Sequence, residues 1–132
     1  MSKVFVDTSA LLALLSATDA GHDRARRSFE RLRSESAALV THSHVLVETY
    51  ALLDRRLGRE ASRQFREELA PLLEIVWLDR DLHEEALDLY LASPRSISLV
   101  DAASFACIRE MRLDRVWAID HHFDDQGFEV VG

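Results

Sequence analysis

The sequence predicts an α/β fold of three layers, with helices on both faces of a central, mostly parallel sheet of four or five strands. Short β-branched and aromatic runs recur along the chain, at Lys3-Val4-Phe5-Val6, Ala38-Leu39-Val40-Thr41, Ile75-Val76-Trp77-Leu78, Val116-Trp117-Ala118-Ile119 and Phe128-Glu129-Val130-Val131. Continuous apolar runs of this length suit strands buried on both faces. Segments of helical periodicity separate the runs, an alternation expected of crossover connections and a parallel sheet. No Pro/Gly/Ser-rich linker and no internal repeat divides the 132 residues, so one domain is expected over residues 1–132.

Each element has a local reason. After the first strand, Asp7-Thr8-Ser9 supplies carboxylate and hydroxyl caps for a helix through Ala10–Leu15. From Asp19 to about Ser36, Ala25, Phe29 and Leu32 share one face of an Arg-rich amphipathic helix. Ser43 can cap the next helix, which runs to Leu57 and stops at Gly58. Arg59 to Leu73 reads as a further helix with Ala61, Phe65, Leu69 and Leu72 inward. Asp79 or Asp81 starts a helix through Tyr90, closed by Ser93-Pro94-Arg95-Ser96, and another helix spans Leu99 to Met111.

Composition narrows the functional classes. No apolar run approaches the ~18 residues of a membrane span, and the start shows no secretory signal, so a cytoplasmic protein is expected. The single cysteine, Cys107, excludes an internal disulfide or a zinc finger and reads as a small core residue. A net charge of -7 argues against a generic nucleic-acid binder. The charge is uneven, however. Residues 1–66 hold 11 Lys/Arg against 8 Asp/Glu, whereas residues 67–132 hold 5 against 15. Of the 16 bases 15 are Arg, the residue suited to forked phosphate contacts. Two candidate faces for such contacts are Arg24, Arg27 and Arg31, and Arg55, Arg56, Arg59 and Arg63.

Four acids sit in apolar surroundings. Asp7 and Asp120 close the strand runs at Val6 and Ile119, Asp101 lies in the first turn of its helix, and Glu48 interrupts a helix apolar nearly all round. In a parallel sheet, strand ends and the starts of the following helices share one edge, where ligands gather. All four can therefore reach one place. A carboxylate buried alone is costly, and the sole Lys is Lys3, so a hard divalent cation, Mg²⁺ or Mn²⁺, is the expected positive centre. Such ions serve phosphodiester hydrolysis. Singly, Asp7 could be a helix cap, Asp101 a partner of the helix dipole and Asp120 a turn acid. His42-x-His44 and His121-His122 raise zinc as a rival, but no HExxH spacing accompanies them. His22 and His83 read as solvated, and Trp77 and Trp117 as core.

Val4-Phe5-Val6-Asp7-Thr8-Ser9-Ala10-Leu11 resembles the opening of a PIN domain. Ser98-Leu99-Val100-Asp101-Ala102 and Ala118-Ile119-Asp120-His121-His122-Phe123-Asp124-Asp125-Gln126-Gly127-Phe128 resemble its later motifs, with Glu48 in the matching helix between them. The likeness spans essentially the whole chain and is greatest to the VapC toxins of bacterial VapBC toxin–antitoxin pairs. Val100 stands where many members carry Pro. The resemblance implies an Mg²⁺- or Mn²⁺-dependent endoribonuclease that blocks translation by cutting structured RNA such as tRNA or rRNA. It also implies a homodimer inhibited by a cognate VapB antitoxin. Asp7 and Asp101 match the principal metal ligands, Glu48 the second acid and Asp120 the fourth, with Asp124 able to share or replace Asp120. Thr8 or Ser9 would support the ligands by hydrogen bonds, and Glu48 would orient or deprotonate water or help hold a second ion. The contrasting expectation is a PIN-like protein that binds a partner and has no catalysis. A phosphate-accepting receiver domain lacks its late Lys here, and an Asp-x-Asp phosphatase lacks its second acid, since Ser9 stands there.

Overall fold

A computed structural model describes residues 2–132. Five strands, β1 (Lys3–Val6), β2 (Ala38–His42), β3 (Leu73–Val76), β4 (Arg115–Trp117) and β5 (Glu129–Val131), form one sheet in the order β3-β2-β1-β4-β5. Every pairing is parallel. The helices are α1 (Thr8–Leu15), α2 (His22–Ser34), α3 (Ser43–Leu57), α4 (Arg59–Gln64), α5 (Arg80–Ala92) and α6 (Leu99–Met111).

The strand order contains a reversal. From β1 the chain steps to β2 and β3 on one side, then returns across the sheet to β4 and β5 on the other. Right-handed crossovers therefore lay α1–α4 on one face and α5–α6 on the opposite face. The strands next to the reversal, β1 and β4, part their outgoing chains and open a crevice at their carboxyl ends. Val4, Phe5, Val6, Val40, Val116 and Trp117 are all fully buried between the layers, as the apolar runs require.

Several local expectations are corrected. His42, not Ser43, caps α3, its Nδ1 accepting from the backbone N–H groups of His44 and Val45. Ser43 Oγ instead accepts from Leu78 N at 3.0 Å. The segment from Arg59 is not one helix. It passes from α4 through a π-helical turn at Phe65–Leu69 and a 3-10 turn at Ala70–Leu72 containing Pro71, a residue that cannot donate to a helical ladder. Leu72 is consequently 38% exposed. The third strand starts at Leu73, two residues earlier than its apolar run suggests, because Leu73 pairs with Leu39 and Val76 with His42. Trp77 then lies past the end of an edge strand and is 71% exposed, not core. Gly58 ends α3 with φ 96°, a left-handed value that a side chain would resist. His22 is partly buried and bonds Ala13 O through Nδ1 at 2.9 Å, so it is not simply solvated.

Candidate active site

The crevice between the ends of β1 and β4 is a cleft of about 360 Å³. Asp7, Glu48, Asp101 and Asp120 all line it, joined by Asp19, Arg56 and His122. The four acids come from four elements and reach one place for different local reasons.

Asp7 leaves β1 in extended geometry and caps α1, its Oδ2 accepting from Ser9 N at 3.1 Å and from Ser9 Oγ at 2.6 Å. Its own N–H donates to Trp117 O at 3.0 Å, tying the ends of β1 and β4 together. The same Ser9 Oγ accepts from Ile119 N at 2.9 Å and Asp120 N at 3.2 Å. One hydroxyl thus sets Asp7 and Asp120 relative to each other. Asp101 sits in a capping box at the start of α6. Its N–H donates to Ser98 Oγ, and its Oδ2 accepts from Ser98 N, both at 3.1 Å. Glu48 lies on the second turn of α3, partly exposed. That helix is less enclosed than its composition suggests, with Val47 67% exposed beside Glu48.

The electrostatics register the convergence. Asp7 is 4% exposed, and its carboxyl is pushed from 3.8 up to about 6. Burial is the main cause, the Ser9 hydrogen bonds oppose it, and the negative charges of Asp120 and Asp101 add to the rise. Arg56 lines the cleft as a permanent cation, and His122 is the basic side chain in direct contact with its carboxylates. Its Nδ1 lies 3.0 Å from Asp101 Oδ2 and 3.6 Å from Asp120 Oδ2. Burial alone would lower the His122 pKa, but the two carboxylates outweigh it and hold the imidazole above its ordinary value.

The donor set is all oxygen apart from that imidazole, which is the chemistry of a Mg²⁺ or Mn²⁺ site. The side chains are not drawn into a closed cage. Among the described residues no three His, Cys, Asp or Glu side chains are gathered tightly enough to hold an ion. The hydrogen bonds explain the spread, since Ser9, Ser98 and His122 each hold a carboxylate that repels its neighbours. Thr8 Oγ1 is buried without a partner on the wall of this cleft, an orphan donor suited to a bound phosphate or water.

Asp124 is not among the residues lining the cleft. Its Oδ2 is 2.9 Å from His121 Nδ1 on the exposed turn after Asp120. Asp19 and Arg56 were not singled out for the cleft itself. Asp19 precedes Gly21, whose N–H donates to Asp19 Oδ1 at 2.7 Å, and its sequence context is that of any turn acid. The paired histidines His42 and His44 face away from this chemistry. His42 is fully buried, with Nε2 2.9 Å from Ser104 Oγ.

A parallel sheet with a strand-order reversal, acids just past β1 and β4 and a third acid in the first turn of α6 define an α/β domain with an acid-lined cleft at its switch point. The PIN domain model matches residues 4–129, and the chain belongs to the PIN-domain family. It is 37% identical over 130 residues to the 23S rRNA-specific endonuclease VapC20 of Mycobacterium tuberculosis, covering 97% of each chain. The crystal structure of that VapC20, a Sarcin-Ricin loop cleaving toxin, superposes with a TM-score of 0.81 at 35% identity, over 95% of both chains. The same fold recurs in a toxin–antitoxin complex from Klebsiella pneumoniae at a TM-score of 0.70 and 18% identity, covering 98% of this chain and 96% of that one.

Proposed function

We propose that this chain is the toxin of a VapBC pair, a divalent-cation-dependent endoribonuclease that cuts a structured loop of ribosomal RNA. One observation carries the reading: four carboxylates from β1, α3, α6 and the end of β4 line a single cleft at the sheet's reversal. The likeness to VapC20 over 97% of the chain supports the substrate class.

In this reading Asp7 and Asp101, with Asp120, are the residues that would hold Mg²⁺ or Mn²⁺. When bound, the ion would supply Lewis-acid polarisation of the phosphoryl oxygen and would favour ionisation of the attacking water. Glu48 orients or deprotonates the attacking water from the α3 side. Ser9 keeps Asp7 and Asp120 in register, and Thr8 Oγ1 offers its unpaired hydroxyl to a phosphate oxygen. A VapB-type antitoxin would restrain the enzyme, and a homodimer is the expected assembly. Among the described residues no helix is long and apolar enough to cross a membrane, and in this reading the chain works in the cytoplasm.

The direct test incubates the purified chain with an RNA hairpin carrying the sarcin–ricin loop, with Mn²⁺ or with EDTA. Cleavage that needs the ion and is lost in both Asp7→Asn and Asp101→Asn is the expected result. Intact RNA under all conditions, with folded protein, would overturn the reading in favour of a partner-binding role without catalysis.

A further inference from the structure

A second concavity, of about 370 Å³, lies away from the carboxylates between α2 and the edge strand β5. Arg24, Arg27 and Arg31 line it with Ser28, Val130 and Gly132. The three arginines fall at i, i+3 and i+7 on α2, one face of a helix, and all three are exposed. None of them makes an ion pair with a carboxylate among the described residues. The alternative basic face differs. There Arg59 is matched to Asp54 at 2.6 Å and Arg63 to Glu60 at 3.0 Å, so half of its four charges are already answered.

The α2 arginines are also held in place. Ser28 Oγ, on the floor of the groove, accepts from Trp117 Nε1 at 2.8 Å and donates to Arg24 O at 2.7 Å. This buried bond to β4 fixes the rotation of α2, with Ala25 and Leu32 inward and the arginines outward. The groove and the acid-lined cleft share a wall. Ile119 lines the cleft, and a Cβ at Gly21 would meet Ile119 Cγ2 at 2.5 Å while one at Gly132 would meet Ile119 Cδ1 at 3.4 Å. Ile119, which lines the cleft, is thus also a neighbour of Gly132, which lines the groove.

We propose that the Arg24–Arg27–Arg31 groove is a phosphate-backbone subsite, holding RNA that flanks the cut site after it passes Ile119. The proposal rests on the ribonuclease reading and gives it a direction of substrate approach, across the β4–β5 edge. Arg24 to Arg31 spans about 10 Å of helix, long enough to meet more than one phosphate of an RNA backbone. Guanidinium forks match phosphate oxygens and read no base, so the groove adds affinity and leaves the choice of cut site to the cleft. It also eases the conflict between a net charge of -7 and an RNA substrate, because three arginines without carboxylate partners share one face.

The experiment compares wild type, the triple variant Arg24→Gln/Arg27→Gln/Arg31→Gln and the control Arg59→Gln/Arg63→Gln. Binding of a fluorescent sarcin–ricin-loop hairpin is measured in EDTA across a salt series, and single-turnover cleavage with Mn²⁺ at saturating enzyme is measured in parallel. The expected result for the triple variant is a Kd raised about tenfold or more and a log K against log salt slope shallower by about two to three. Its saturated cleavage rate and melting temperature should match wild type, and the control should bind nearly as wild type does. Unchanged affinity and slope in the triple variant would overturn the subsite while leaving the nuclease reading intact if cleavage persists. Groove-dependent binding without any cleavage would keep the subsite and remove the nuclease. No binding by wild type removes the subsite outright.

Discussion

His122 Nδ1 stands 3.0 Å from Asp101 Oδ2, so the imidazole meets directly a carboxylate with which it shares the cleft. Both are held by backbone geometry, Asp101 by its capping box and His122 by the turn in which its N–H donates to Asp120 Oδ1 at 3.1 Å. A metal ion would compete with this ring for the same two carboxylates. His122→Gln should therefore tighten Mn²⁺ binding several-fold by titration calorimetry, with a loss of stability of no more than about 1 kcal/mol, since the ring is 43% exposed. Weaker Mn²⁺ binding would show that the ring assists the ion.

Asp7 makes the metal-free cleft unstable near neutrality. Its folded pKa of about 6 exceeds the ordinary 3.8, so the folded form keeps a proton that the unfolded chain has lost between those values. Stability from this group therefore falls as pH rises from 3.8 to 6, and the penalty is full above 6. Asp7→Asn removes it, and the metal-free variant at pH 7 should gain up to about 3 kcal/mol. Thermal unfolding in EDTA checks this. Addition of Mn²⁺ should raise the melting temperature of wild type but not of the variant.

Ser9 links two acids through one oxygen. Ser9→Ala strips a donor from Asp7 and leaves the N–H groups of Ile119 and Asp120 without their acceptor. A stability loss of about 1–3 kcal/mol is expected, with a fall in the rate of RNA cleavage at saturating Mn²⁺. Ser9→Thr keeps the hydroxyl and should recover most of both.

His42 gives the fold an acid limit. Its Nδ1 accepts two backbone N–H groups, which assigns the proton to Nε2 and directs it to Ser104 Oγ, itself donating to Val100 O. Burial above all, with His44 nearby, pushes its pKa from 6.5 down to about 3. The unfolded chain takes up a proton below 6.5 that the folded form refuses, so this contribution is complete above 6.5 and is lost as pH falls towards 3. Wild type should lose up to about 1.4 kcal/mol per pH unit in that window. His42→Gln should be less stable at pH 7 and show a flatter profile, measured by denaturant unfolding.

Trp117 and Ser28 form a buried couple that sets α2. Ser28→Ala leaves the indole N–H without an acceptor in the core, at a cost of about 1–3 kcal/mol. Adding Trp117→Phe removes the stranded donor, and the double variant should lose less than the sum of the two single losses. A simple sum would mean that the bond does not couple them.

The order and nature of the elements were legible from local chemistry. Lys3–Val6 and Leu99–Met111 coincide with their expected spans, because a strand buried on both faces leaves an unbroken apolar run and a buried helix keeps its apolar periodicity. The third strand was not legible in its bounds. Leu73 and Trp77 are both apolar, and only pairing with β2 decides that the first is inside the sheet and the second beyond it.

The same division holds at the cleft. The amino-acid sequence by itself determined which carboxylates were out of place, since Asp7, Glu48, Asp101 and Asp120 stand among apolar neighbours that surface acids avoid. What only the tertiary structure decided was their company. Asp19, Arg56 and His122 join them, while Asp124 turns outward to His121. Residues far apart in the chain leave no shared local signal. Their meeting depends on the parallel registers, the reversal of strand order at β1 and the rotation of each helix, and these are settled by packing the whole core at once.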